Sequence, residues 1–247
     1  MSTTTSALGR VTGWITAPIF GAISLARHAR TFHPHGRTFV ARVVRHPDLA
    51  LDLEPLAERL VGDALVRFSG ALWKDEPHRP DVLGCAIRFR HDANETAEPE
   101  PGDQDLLLAT ILRPWTMPVA PMTTDVEDYL GNDYFAVSPF DVGLVHALYF
   151  RLRPEHASRS GDDRDARVDA AVACGDAALE LDVGASPYGV WSPIVRIELL
   201  RRAHVDDAAL RFRPYRAGRG VEPRGFLNAM RRGVYAMSQW ARPRTVP

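Results

Sequence analysis

Short apolar runs separated by turn chemistry constrain this chain more than any other feature. From Arg37 to Arg45 the residues alternate, with Phe39, Ala41 and Val43 on one face and Val40 and Val44 on the other. That two-residue period belongs to a strand, not a helix. Ala64 to Ala71, Val82 to Arg90, Asp105 to Leu112, Leu144 to Leu152, Ala178 to Val183 and Ile194 to Leu200 read the same way. Turn formers such as Asp75-Glu76-Pro77 and Ser160-Gly161-Asp162-Asp163 part them. About seven strands at this spacing predict an antiparallel barrel or sandwich. Val126 to Leu130 and Pro139 to Val145 read as helical turns. The acidic, Pro-rich stretch Asp92 to Gln104 and the charged stretch Arg159 to Asp169 read as exposed loops.

No linker or internal repeat divides the 247 residues, so they read as one α+β domain over 30–247, preceded by an arm or helix over 1–29. The apolar run Trp14 to Ala26 contains Pro18 and is too short to span a bilayer. It is expected to pack on the domain, with weak contact to a membrane surface as the alternative. Cys85 and Cys174 are too few for a disulfide framework and are expected to be buried. A cytoplasmic setting is expected. The net charge of −1 argues against a nucleic-acid partner. Thirty residues are lysine or arginine, and Lys74 is the single lysine. GC-rich codons account for most of that bias, but planar guanidinium groups also suit carboxylates.

The last element, Phe226 to Ala241, has helical composition and stops before Pro243. Arg231 and Tyr235 stand one turn apart on it, and Arg242 lies two turns further along the same stripe. Two other stretches carry chemistry-bearing side chains: Arg30-Thr31-Phe32-His33-Pro34-His35-Gly36 before the first strand, and Arg67-Phe68-Ser69-Gly70 at the end of the second.

Taken in order, these pieces resemble the haem catalase family. Arg30 and His33 match its Arg-x-x-His motif, and Val66 to Ser69 match its Arg-Phe-Ser strand. Asp81, Gly84, Ala86, Arg88 and Phe89 match the next strand, and Asp105-Leu106 match the start of another. Phe212, Pro214, Gly220, Val221, Glu222, Pro223, Arg231, Tyr235 and Arg242 follow the family's closing order. The resemblance covers about residues 30 to 112 and 190 to 242.

The resemblance implies a catalase-type antiparallel β-barrel with packed helices, and haem b between the barrel and the C-terminal helix. It implies Tyr235 as the axial iron ligand and His33 as the distal acid/base. Ser69 is implied to orient His33, and Arg30, Arg67 and Arg242 to pair with the propionates. A free phenol ionises near pH of about 10, so the phenolate needs a partner; Arg231 is implied for that role. Catalases carry a distal asparagine where this chain has Ala109, with Thr110 the nearest polar group. The chain is also shorter than full catalases. These departures turn the expectation from hydrogen peroxide toward organic hydroperoxides, fatty-acid ones included. A small apolar co-substrate, a ferryl intermediate and a homodimer complete it.

Alternatives on the same site are a hydroperoxide isomerase, a weak catalase or a non-catalytic haem binder. A different class is a metal-dependent hydrolase. It would use His33-Pro34-His35, with His28, His46, Asp48, Asp81 or Asp105 as further ligands. Phe39, Trp73, Phe89, Trp115 and Phe135 are expected in the core, except that Trp115 or Phe135 could face the haem.

Overall fold

The computed structural model describes residues 36–224 apart from 72, 74–77, 93, 118, 157, 158 and 208. The arm over 1–29, the Arg30-to-His33 motif and the Tyr235 helix lie outside the described residues. Ten strands are described, in chain order β1 (Gly36–Arg45), β2 (Gly62–Gly70), β3 (Leu83–Arg90), β4 (Gln104–Ala109), β5 (Tyr134–Phe135), β6 (Phe140–Val142), β7 (Val145–Pro154), β8 (Ala178–Gly184), β9 (Ser192–Arg202) and β10 (Val221–Pro223). The seven strands expected from alternation are all present. β5, β6 and β10 are two or three residues long and too short to show a period.

The strands hydrogen-bond in the order β10-β6-β7-β5-β4-β3-β2-β1-β9-β8, and β8 pairs with β7 as well. That extra pairing, Tyr149 with Gly184 through Pro154 with Leu179, closes eight strands into a barrel. β6 and β10 extend it as a flap on β7. Every pairing is antiparallel.

Alternation now has a direct reading. Phe39, Val66, Phe68, Cys85, Ile87, Phe89, Leu152, Leu181 and Ile197 point inward and are almost wholly buried in one apolar cluster. An eight-stranded barrel is just wide enough for its own side chains to fill. The lumen is therefore packed, and Phe39 and Phe89 are core as expected. The opposite residues of each strand project outward, and β2, β3 and β4 carry their charged side chains on that outer wall.

Three helices pack on the barrel: α1 (Glu54–Leu60), α2 (Ala120–Thr123) and α3 (Arg164–Ala173). α3 corrects the solvated loop expected over Arg159 to Asp169. Asp163 caps it by accepting from the Ala166 N–H at 2.7 Å. It buries Arg164, Asp165, Val168, Ala171 and Val172, a helical stripe in which two charged groups point inward. They can do so because they are paired: Asp165 meets Arg37 at 2.9 Å, and Arg164 donates to the Val126 carbonyl at 3.1 Å. The helical turn expected over Pro139 to Val145 is instead β6 and a tight hairpin, with Gly143 at φ 58 supplying the left-handed corner. Val126 to Leu130 is a turn leading into a short 3-10 helix, Tyr129–Gly131.

The acidic stretch Asp92 to Gln104 is exposed at Asp92, Thr96 and Glu98 to Pro101, as expected, but not at its end. Its end folds back, and Asp103 and Gln104 are buried. The reason lies in a charge cluster on the outer wall. Arg88 Nε donates to Asp105 Oδ1 at 2.9 Å, and both side chains are fully buried. Asp105 Oδ2 accepts from the Arg213 N–H at 2.7 Å and from Arg216 Nη1. Burial pushes the Asp105 carboxyl up from its ordinary range, and Arg88, Arg216 and the Arg213 N–H pull it back. Gln104 donates to the Arg216 carbonyl at 2.9 Å and the Val221 carbonyl at 3.1 Å. Together these bonds fasten the segment after β9 to β3 and β4.

Two predictions follow from the packing. Arg88→Met strands part of the Asp105 charge and should cost about 3–5 kcal/mol in urea unfolding, the usual penalty for breaking a buried pair. Cys85 is buried, which pushes its thiol up, whereas Cys174 is exposed, against the expectation that both are buried. A thiol titration of the native protein should therefore count one fast-reacting cysteine, and a second only after denaturation.

Candidate functional site

The strand register brings several of the predicted residues onto one face. Gly36 lies opposite Ser69, Ser69 opposite Gly84, Gly84 opposite Ala109, and Ala109 opposite Phe135. One row across five strands thus reads Gly36, Ser69, Gly84, Ala109, Phe135. The next row reads Thr38, Arg67, Ala86, Leu107. Both rows are on the outer wall, because their neighbours Phe68, Cys85 and Leu108 face the lumen. From β1 to β4 the first row presents only glycine, serine and alanine. Three inter-strand spacings make that floor about 14 Å across.

Arg67 sits at this floor with its side chain 3% exposed. Its guanidinium rests over Gly36. A Cβ there would lie 2.7 Å from Arg67 Cζ and would collide with the Phe68 carbonyl oxygen. The guanidinium is not empty-handed. Its Nε donates to Asp207 Oδ1 at 2.6 Å, and its Nη2 to Asp207 Oδ2 at 3.1 Å. This is the bidentate fork that a free carboxylate would also use. Asp207 was not foreseen, because nothing in its local sequence marks a partner 140 residues away. Thr38, the cross-strand neighbour of Arg67, is also new. Its Oγ1 is buried and has no hydrogen-bond partner among the described residues. An alternating register drawn for the Arg37-to-Arg45 strand would have put it on this face.

Ser69 is 4% exposed, in the row beside Gly84 and Ala109. Thr110 is turned to other work. Its Oγ1 accepts from the Leu83 N–H at 3.1 Å and shares a 2.7 Å hydrogen bond with Thr124 Oγ1. It ties off the end of β4, so the residue on the floor is Ala109. His33, Arg30, Arg231, Tyr235 and Arg242 lie outside the described residues.

The aromatic residues divide. Phe135 lies on the outer wall beside Ala109, 6.3 Å from the Trp191 ring. Trp73 donates from its indole to the Pro80 carbonyl at 3.1 Å. Trp115, expected in the core or facing the haem, is 67% exposed and so not in the core, and the Arg113 guanidinium stacks against it.

Of the residues expected in the alternative metal site, His28, His33 and His35 lie outside the described residues, and His46, Asp81 and Asp105 have other partners. His46 Nδ1 accepts from the Asp48 N–H at 3.1 Å, which leaves Nε2 facing Glu180 Oε1 at 3.3 Å. Asp81 is buried and accepts from the Val82 N–H at 2.7 Å, while Asp105 belongs to the Arg88 cluster. Among the described residues no group of three His, Cys, Asp or Glu side chains could hold a metal ion. Among them, too, no helix is long and apolar enough to cross a membrane.

Against solved structures, the chain is similar to a bacterial catalase. The TM-score is 0.59 at 13% sequence identity, over 89% of this chain and 59% of that one. The chain thus spans under two thirds of that protein's length. The likeness is one of fold: a closed antiparallel barrel of the catalase type. No protein-family model and no curated protein sequence matches the chain.

The described part of the site fits one edge of a haem on three counts. It has a row of small side chains, an arginine fork at that row that holds the Asp207 carboxylate, and a buried hydroxyl, Thr38 Oγ1, without a partner among the described residues. The floor geometry depends on Gly36. Gly36→Ala should push Arg67 off its seat and cost about 1–3 kcal/mol, the usual range for overpacking. Thermal unfolding of the two proteins measures it.

Proposed function

We propose that this chain is a haem-dependent oxidoreductase that acts on organic hydroperoxides. The observation that carries the reading is the outer-wall row Gly36, Ser69, Gly84, Ala109 with Arg67 beside it, set on a barrel similar to that of a bacterial catalase. In this reading Tyr235 ligates the iron of haem b, Arg231 donates to the phenolate, and Arg30, Arg67 and Arg242 meet the propionates. When bound, the haem supplies a ferric iron competent to break an O–O bond.

The chain's own residues would supply the rest. His33 takes the proton from one hydroperoxide oxygen and returns it to the other, which requires a neutral imidazole within hydrogen-bond reach. Ser69 holds the second ring nitrogen and so fixes the tautomer. A propionate at Arg67 must share the guanidinium with Asp207 or displace it, exchanging one carboxylate for another at little net cost.

Ala109 sets the preference. Where an asparagine would offer a hydrogen-bond donor to the second peroxide oxygen, this floor offers a methyl group. Phe135 extends the apolar character from β4 to β5. Hydrogen peroxide, with two polar ends, gains nothing from such a wall. An alkyl hydroperoxide can bury its carbon chain there, at about 25 cal/mol for each Å² removed from water.

Absorption spectroscopy with turnover assays tests the reading. The purified protein, expressed with haem supply, should show a Soret band that Tyr235→Phe shifts or abolishes. It should consume cumene hydroperoxide at least tenfold faster than hydrogen peroxide. A folded, colourless protein would overturn the reading. A Soret band without turnover would favour a non-catalytic haem binder. Ala109→Asn should move the preference back toward hydrogen peroxide.

A further inference from the structure

We infer that Arg113 anchors the carboxylate of an amphipathic acid at the outer wall of the barrel. Arg113 lies four residues past the end of β4, and its guanidinium is ringed by aromatic groups. Cζ stands 4.3 Å from the centroid of Tyr188, 5.2 Å from that of Trp115 and 5.5 Å from that of Tyr149. Other guanidinium groups on the outer wall have a carboxylate. Arg67 has Asp207, Arg88 has Asp105, and Arg151 has Asp182 at 2.6 Å. Among the described residues no carboxylate pairs with Arg113, and its Nε is buried without a hydrogen-bond partner.

The surroundings select the ligand. Aromatic faces attract the cation through their π-electrons but leave its in-plane N–H groups unsatisfied. Those N–H groups form a fork suited to a carboxylate. Arg113 is itself half-buried and only its Nε is enclosed, so a carboxylate reaches the Nη1–Nη2 edge, past Trp115 and Tyr188, which are 67% and 65% exposed. The stretch that follows adds exposed Met117, Val119 and Met122, an apolar surface for an aliphatic tail. An inorganic phosphate would surrender its strong hydration to meet apolar rings, whereas a monocarboxylate gives up less and gains the burial of its tail.

The position also matters. Tyr149 is two residues from Arg151 on β7, Arg151 is opposite Phe135, and Phe135 is opposite Ala109. Arg113, which meets the Tyr149 ring, therefore borders the same outer wall as the floor of small residues; Tyr149 itself is roughly 12 Å from Ala109 by strand spacings and rise. That the bound acid carries the hydroperoxide rests on the proposed function; the binding itself does not.

Calorimetric titration of the full chain with decanoate tests it, haem loaded or colourless. One saturable site per chain is expected. Arg113→Gln should weaken decanoate at least tenfold, and Arg113→Lys should fall between the two. Decan-1-ol should bind more weakly than decanoate and equally to the parent and Arg113→Gln. Tyr235→Phe should leave decanoate binding unchanged, so the failure of the haem reading and of this site are separable. Equal decanoate binding by the parent and a folded Arg113→Gln, or no binding, would overturn the assignment. So would inorganic phosphate binding more tightly than decanoate.

Discussion

The Asp105 carboxylate is the point on which the outer wall depends. It sits on β4, fully buried, and binds Arg88 from β3 together with Arg216 and the Arg213 N–H from the segment after β9. A charge so far from water is tolerable only when its acceptor sites are filled, and here the donors come from two distant parts of the chain. The consequence reaches the candidate site. The segment held by Asp105 also carries Asp207, and Asp207 holds Arg67 at the floor. Arg88 and Asp105, both within the stretches that resemble catalase, are thus structural, and they help to position Arg67, which the proposed function pairs with a propionate.

The packed lumen divides labour within the fold. Inward residues such as Phe39, Phe68 and Phe89 fill the barrel and leave it no polar chemistry. The candidate site residues of these strands stand on the opposite face, where Ser69, Arg67 and Ala109 are placed by register and not by loops. Strand-borne groups hold their geometry better than loop-borne ones, which suits a site that must align a flat ligand against a wall.

The same alternation explains what was legible in the sequence. Long strands with one lumen-facing row, such as Arg37 to Arg45 and Val82 to Arg90, carry a clear period, and all seven appear. β5, β6 and β10 do not, because two or three residues cannot express one. Arg159 to Asp169 misled for a different reason. Charge predicts exposure only when a charge lacks a partner, and Arg164 and Asp165 on α3 find theirs in distant residues. Ser69 and Arg67 were readable from their strand, and Thr38 could have been. Asp207 was not, since its role exists only once the chain is folded. Thr110, the polar residue next to Ala109, illustrates the period's force: a shift of one residue turns it from the floor to the strand end, where it bonds Leu83 and Thr124.

Arg67 and Arg113 mark opposite solutions to one problem. Both are guanidinium groups near the same outer wall, and both could bind a carboxylate from outside the chain. Arg67 already holds an internal carboxylate, so an incoming acid must compete with Asp207, and binding there becomes an exchange. Arg113 holds none, and its aromatic ring of neighbours stabilises the cation without occupying its N–H fork. A carboxylate arriving at Arg113 forms charge-assisted bonds without breaking an ion pair. The first arrangement favours a ligand with several points of attachment, whose other contacts offset the exchange. The second favours a ligand with one carboxylate and an apolar body, for which Met117, Val119 and Met122 offer an exposed apolar surface.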